Sequence, residues 1–317
     1  MTTQKPESLA EALGGTHHLD KSILSDGEKS LTLRQLLEAS QSLDARAWAG
    51  RSVMIAVDTQ LEAARVLVCL DGKVRRLLLL PPDVKPEHYA AMVRDAAIDT
   101  IICSDATDFS GLGAELVVLG TELPALFPRG NKTSGATEWL MLTSGTTGDP
   151  KIAIHTLAGL TGAIAPGNCD QPPSWATFYD IRRYGGLQIF LRAMLAGGSL
   201  TLSRPDEPVL QHVQRLAAAG VTHISGTPTH WRRAFMSNAA SVFGPKVVRL
   251  SGEIADQALL DSLKVAFPNS AIGHAYASTE AGVGFEVNDG LEGFPVSYLD
   301  GGLKDVDLRV VDGSLRI

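Results

Sequence analysis

Short apolar runs alternate with longer amphipathic stretches along most of this chain. SVMIAVD, Ser52–Asp58, is apolar almost throughout and of strand length. TQLEAARVLVCLDG follows it and predicts a helix ending near Gly72. RLLLLPP is a second apolar run, stopped by Pro81 and Pro82. KPEHYAAMVRDAA has helical spacing, DTIICSD returns to strand, and ELVVLG and EWLMLTSG read the same way. This alternation predicts mostly parallel sheets covered by helices on both faces.

The second half keeps the habit. SLTLS, VTHIS, VVRLS and AIGHAYA predict strands. In EPVLQHVQRLAAAG, Leu210, Val213, Leu216 and Ala217 share one helical face, and Gly220 ends it. Asp256 is placed to cap a helix over QALLDSLKVAF, which stops before Pro268. After Gly290 the texture changes, and VDLRVVDGSLRI predicts two short strands joined at Asp312 and Gly313. The expected division is an α/β subdomain over 1–134, a second over 135–289 that holds the site, and the start of a small antiparallel, β-barrel-like subdomain over 290–317.

Ligands in such sheets gather beyond the carboxyl ends of strands. Four ends carry small or polar residues: Thr143–Lys151, Ser225–Pro228, Ser251–Glu253 and Ala277–Glu280. The expectation is that they form one site.

Composition adds limits. With 317 residues, 44% hydrophobic and 20% charged, the chain is globular and long enough for more than one subdomain. A net charge of −7 gives no reason to expect nucleic acid. The start, MTTQKPESLAEALGG, lacks the basic and apolar segments of a secretory signal, and no apolar stretch is long enough to span a bilayer. Cys69, Cys103 and Cys169 are odd in number and far apart, which suggests reduced thiols in a cytoplasmic protein, each a small buried hydrophobe. His155, His223, His230 and His274 have no zinc-type spacing, and His223 reads as a core residue. No Ser-His-Asp or Cys-His constellation can be picked out. Trp231, Arg232 and Arg233 fit a helix packed beside the site.

The chemistry concentrates in LTSGTTGDPK, Leu142–Lys151. Gly145 and Gly148 let the backbone approach a ligand closely, and successive N–H groups in such a loop form an anion-binding concavity. Thr143, Ser144, Thr146 and Thr147 add hydroxyl donors, and Lys151 adds a positive charge. Phosphate oxygens need this combination; a flexible polar loop is the alternative. The spacing is not that of a Walker loop, and Pro150 precedes the lysine.

This stretch resembles the phosphate-binding signature of the AMP-forming adenylating enzymes: acyl- and aryl-CoA synthetases, peptide-synthetase adenylation domains and luciferase. The match fails only where Ile152 stands for the usual glycine. HAYASTEAG resembles that family's Tyr-Gly-x-Thr-Glu, with Ala277 for glycine, and Ser251-Gly252-Glu253 resembles its Gly-Gly-Glu/Ala turn. GTPTHWRRAF is similar to its Val-Pro-Thr helix start. The order and spacing agree over nearly the whole chain.

The resemblance implies ATP-dependent activation of a carboxylic acid to an acyl-adenylate, for transfer to coenzyme A or to the phosphopantetheine of an acyl-carrier protein. It implies ATP and Mg²⁺, the metal on Glu280, a hard carboxylate for a hard cation; a solvated loop acid is the plain alternative. Thr279 would donate to the α-phosphate and Tyr276 would stack on adenine, unless Tyr276 is a core aromatic. Gly252 and Glu253 would present backbone to the base and acyl group, flanked by Ser251, Ala277 and Ser278. Lys151, with Thr143, Ser144, Gly145, Thr146, Thr147 and Gly148, would meet the phosphates. The acyl pocket would take Phe178, Tyr179, Arg182, Tyr184 and Gly185, with Gly226 and Thr227. Arg182 and Arg183 would meet a polar group on an aryl or short polar acid, pair with Asp180, or form a solvated turn.

At the C-terminus the sequence departs from the family. The ribose-binding aspartate motif, the hinge and the C-terminal lid domain with its lysine have no counterpart after LRI. The chain therefore resembles the large N-terminal domain alone and is expected to adenylate poorly. A non-catalytic nucleotide- or acyl-binding module on the same fold is the alternative function.

Overall fold

The apolar runs named above all form strands in the structure, a computed structural model that describes residues 6–15, 19–120, 136–143, 150–162, 164, 172–280, 282–301, 303 and 306–317. The N-terminal third holds α1 (Leu9–Leu13), β1 (Ser22–Ser25), β2 (Ser30–Thr32), α2 (Leu33–Gln41), α3 (Ala45–Trp48), β3 (Ser52–Ala56), α4 (Gln60–Leu70), β4 (Arg76–Leu79), α5 (Tyr89–Asp95), β5 (Thr100–Cys103) and β6 (Glu115–Val118). Next come β7 (Glu138–Thr143), β8 (Lys151–Thr156), α6 (Leu157–Thr161), β9 (Ser174–Thr177), α7 (Tyr184–Leu195), β10 (Ser199–Thr201), α8 (Val209–Ala218), β11 (His223–Gly226) and α9 (Pro228–Met236). The chain closes with β12 (Val247–Ser251), α10 (Gln257–Ala266), β13 (Ala271–Ser278), β14 (Gly282–Val287), β15 (Arg309–Val311) and β16 (Ser314–Arg316).

Two sheets organise the molecule. The six-stranded sheet runs β6-β5-β3-β4-β7-β8 and is parallel except for β8, which pairs antiparallel with β7. The eight-stranded sheet runs β14-β13-β12-β11-β9-β10-β1-β2, parallel inside, with antiparallel β14 and β2 at its edges. Sheet membership crosses the expected line at 134/135. β1 and β2 join the later sheet, while β7 and β8 complete the earlier one.

Burial explains the layering. All five residues of β3 are buried, as a strand covered on both faces requires. One core joins Val53 and Ile55 of the first sheet, Trp175 and Leu200 of the second, and Leu33, Leu67, Leu187 and Phe190 from α2, α4 and α7. A second core lies under α8, α9 and α10, and a third packs α5 on the first sheet. Asp256 caps α10, accepting from the Leu259 N–H, as its place before QALL implied. Asp312 and Gly313 both take positive φ between β15 and β16, the hairpin geometry an Asp-Gly pair favours. This hairpin is what the described residues show of the expected barrel-like element. Leu308 and Leu315 pack it against Phe285 and Val287 of β14. Cys69 and Cys103 are buried and free, and burial pushes the Cys69 thiol up to about 11. Cys169 lies outside the described residues.

One buried acid fastens the N-terminus. Asp71 accepts from the Leu9 N–H at 2.7 Å and from Trp139 Nε1 at 2.8 Å. Burial raises its pKa to about 6 despite these bonds. The folded state therefore holds the proton more tightly than the unfolded chain. The stability this contributes is complete below about pH 4 and is lost as pH rises through 6, about 3 kcal/mol in all. Asp71→Asn is expected to remove that slope between pH 4 and 6; urea midpoints across pH check it.

Candidate functional site

Because β9, β11, β12 and β13 are neighbours and parallel, their carboxyl ends fall side by side: Thr177, Gly226, Ser251 and Ser278. Three of the four expected strand ends are thus adjacent. The fourth, Thr143, ends β7 in the other sheet.

The β13–β14 edge shapes a cavity of about 490 Å³. A register shift falls between Tyr276 and Ala277, and such an irregularity re-aims a side chain. Tyr276 is half-exposed here and stacks on Phe285, ring centroids 5.7 Å apart. Gly252, Glu253 and Ala255 form a second wall, with Phe294 and Leu315 closing it from the C-terminal segment. Gly252 has φ +83°, so the chain turns sharply off β12 in a conformation that favours glycine. Glu253 accepts from the Thr229 N–H at 2.9 Å and from its hydroxyl at 2.6 Å. Against the cost of desolvation, these bonds hold the carboxyl below its ordinary range. The side chain is thereby committed to the first turn of α9, where a negative charge is favoured.

A smaller cavity of about 50 Å³ lies between α7 and the sheet face formed by β11–β13 and antiparallel β14. Gly185, Gln188, Ile189 and Arg192 face it from α7 at the spacing of one helical stripe. Ser225, Arg249, Ser251, Ala275 and Glu286 face it from the sheet. Both cavities are lined by Ala275 and Ala277, so they adjoin.

Of the expected acyl-pocket residues, Tyr184 and Gly185 line this smaller cavity. Tyr179 stands beside it. Its hydroxyl donates to the Ser251 carbonyl at 2.7 Å, its ring lies 3.6 Å from where a Gly185 Cβ would be, and burial pushes its pKa up to about 12. Phe178 departs from the expectation. Its ring stacks on His230 at 5.3 Å and meets Trp231 edge-on, over Gly226, where an added Cβ would come within 2.6 Å of it. Phe178 and Gly226 thus pack together against α9 rather than lining the cavity. Thr227 caps α9, accepting from the His230 N–H, with Pro228 in the first turn. Arg182 departs too. Its buried guanidinium forks onto both carboxylate oxygens of Asp180, at 2.8 and 2.7 Å, and donates to the Val57 carbonyl at 2.5 Å. Arg183 pairs with Asp83.

Ser144, Gly145, Thr146, Thr147 and Gly148 lie outside the described residues. The strands that flank them are placed. Buried Thr143 and exposed Lys151 are partners in the β7–β8 register. His155, on the same face of β8 as Lys151, meets the Tyr184 ring at 5.7 Å. The Tyr184 hydroxyl lies 3.3 Å from where a Gly282 Cβ would be. Gln188 donates to the Leu160 carbonyl at 3.0 Å. Strand β8 and the turn that carries Thr279 and exposed Glu280 therefore both reach Tyr184. Among the described residues no group of three or more His, Cys, Asp and Glu gathers as a metal site. A single exposed carboxylate still suits Mg²⁺, which keeps several waters and takes one or two carboxylates plus substrate phosphates.

Sequence reasoning missed Gln188, Arg192, Arg249 and Glu286, while Ser225 lies on a strand end it had named. A signal was present in VVRLS, where a charge interrupts an otherwise apolar strand.

Comparison with known proteins adds to this geometry. A sequence profile of the family described as AMP-binding enzyme matches residues 15–316. The 2-succinylbenzoate–CoA ligase of Salmonella typhimurium is 32% identical over 126 residues, 38% of this chain and 26% of that protein. The match thus spans about a quarter of that relative's length. The NpsA N-terminal subdomain of Klebsiella oxytoca, solved with 3-hydroxyanthranilyl-AMSN, superposes with a TM-score of 0.75 at 18% identity, covering 88% of this chain and 76% of that one. A long-chain-fatty-acid CoA ligase of Rhodopseudomonas palustris, described as putative, gives 0.72 at 14% identity, covering 88% and 78%. At these identities the two structures establish the fold.

Proposed function

Because the chain belongs to the AMP-binding enzyme family, we propose that it activates a carboxylic acid with ATP, forming an acyl-adenylate and pyrophosphate. The acyl group then passes to a thiol, of coenzyme A or of a carrier protein's phosphopantetheine. The observation that carries this reading is the pair of adjoining cavities that share Ala275 and Ala277. The larger, with Tyr276 on its wall, has the size and apolar character for a nucleoside. The smaller, under α7, takes the acid. The described lining of the smaller cavity falls within 135–289, and the larger takes Gly293, Phe294 and Leu315 from the segment after it.

In the reaction a carboxylate oxygen bonds to the α-phosphorus as the bond to the pyrophosphate oxygen breaks. Two anions must meet, so oriented donors are the main requirement. Thr279 donates to the α-phosphate, and the Thr143–Lys151 segment takes the β- and γ-phosphates. Tyr276 and the Gly252 turn hold the base, while Tyr184 and Ser251 place the acid for in-line approach. Glu280 would hold Mg²⁺, which when bound would screen the phosphate charge. Tyr179, with its raised pKa, remains a protonated donor to Ser251 at neutral pH and fixes that wall. Among the described residues no helix is long and apolar enough to cross a membrane. A cytoplasmic setting, with ATP and reducing conditions, suits the free, buried Cys69 and Cys103.

Thermal shift tests the reading. ATP·Mg²⁺ at a hundred times its Kd is expected to stabilise the chain by about 2.7 kcal/mol. Glu280→Gln is expected to weaken ATP·Mg²⁺ by about tenfold, equivalent to 1.4 kcal/mol, while leaving metal-free AMP unaffected. A chain indifferent to both nucleotides contradicts the reading.

A further inference from the structure

We propose that the acid taken by the small cavity carries a second anionic group, recognised by Arg249 and Arg192; this rests on the acid-activation reading above. Arg249 sits at mid-strand in β12, in register with Ser225 of β11 and two residues before Ser251, so the three face the cavity together. Arg192 reaches the same cavity from the last turn of α7. Among the described residues, one carboxylate pairs with both of them. Glu286, in register with Ala275, bonds Arg249, and its same oxygen is 3.8 Å from Arg192, beyond hydrogen-bond distance.

Among the described residues, the charges in this cluster do not balance. Two guanidinium groups and one carboxylate leave a net positive charge in a recess where all three side chains are less than a third exposed. The donors do not balance either. Two guanidinium groups bring about ten N–H donors against about four acceptor positions on one carboxylate. Burial, and then the like charge of Arg249, push Arg192 below its ordinary pKa against the opposing pull of Glu286. A neutral or alkyl acid filling this recess would strip water from that charge and return nothing. A second carboxylate would form charge-assisted bonds, and the planar fork of Arg suits it. Tyr184, Ile189 and Val283 supply the apolar remainder of the wall, and the small volume favours a compact acid.

The test compares matched acids on the unaltered chain by thermal shift and calorimetry with ATP·Mg²⁺ present. Succinate is set against propionate, and isophthalate against benzoate. The proposal expects at least one diacid to bind tenfold or more tighter than its monoacid partner. It also expects Arg249→Met, with folding checked by circular dichroism, to lose that preference. Monoacids binding as well as or better than diacids overturn it, and so does a folded Arg249→Met that keeps the preference. The acid comparison on the unaltered chain decides even where the variant does not fold. ATP·Mg²⁺ binding with a monoacid preference removes the substrate class alone. Failure of ATP·Mg²⁺ to bind removes the acid-activation reading and this proposal with it.

Discussion

Arg182→Ala is expected to destabilise the chain by about 3–5 kcal/mol, the cost of stranding one member of a buried ion pair. Arg182 is 3% exposed, and Asp180 would lose the fork that now satisfies both its oxygens. The Val57 carbonyl at the end of β3 would lose its donor as well. That bond spans the sheets, since β3 belongs to the six-stranded sheet and the Asp180 turn follows β9 of the eight-stranded one. Arg183→Ala gives the contrast. Its partner Asp83 is 68% exposed, so the loss is expected to stay below about 1 kcal/mol. Urea denaturation of both variants checks the pair. Equal small losses would return Arg182 to the role of an acid-contacting residue.

Gly186→Ala is expected to cost about 3 kcal/mol or more. An added Cβ would come within 2.1 Å of the Asp180 carbonyl oxygen and 2.8 Å of the Ile181 nitrogen. Both are backbone atoms, so no rotamer change relieves the clash; α7 itself must move. Because α7 forms one wall of the small cavity, acid binding should fall with stability. The neighbouring Gly185→Ala isolates the cavity effect. Its Cβ would meet the Tyr179 ring at 3.6 Å, an ordinary contact, and alanine favours the helix. That variant should fold with stability within about 1 kcal/mol of the parent while crowding the acid. Thermal melts with and without acid separate the two variants.

These two positions show what the sequence reveals and what it hides. β3, β5 and β7 are legible because burial on both faces leaves uninterrupted apolar runs. Asp256 and the Asp312–Gly313 turn are legible because a cap and a tight turn act locally. Helix α7 is not. It opens on Tyr-Gly-Gly, poor helix formers, and Leu187 to Leu191 are all buried, so no polar face marks its period. β8 hides for the opposite reason, as an edge strand with Ile154 half-exposed and little burial to pattern it. β1 owes its place to pairing with β10, about half the chain away in sequence, and β2 follows by pairing with β1.

The site divides along the same line. Tyr276 and Gly252, which line the larger cavity, were readable because a positive-φ turn and a strand-end aromatic are local features. The acid side was not. Arg182 and Arg183 stood out in the sequence, but Val57, 125 residues from Arg182, claims Arg182. Arg249 was passed over because its partners lie on β14 and α7, and nothing local announces them.

The most direct measurement is a crystal structure of the chain with a non-hydrolysable acyl-adenylate mimic. The account predicts adenine in the cavity of about 490 Å³ beside Tyr276 and the acyl group beneath Tyr184, pointing at Arg249. A mimic bound elsewhere, with both cavities empty, would contradict it.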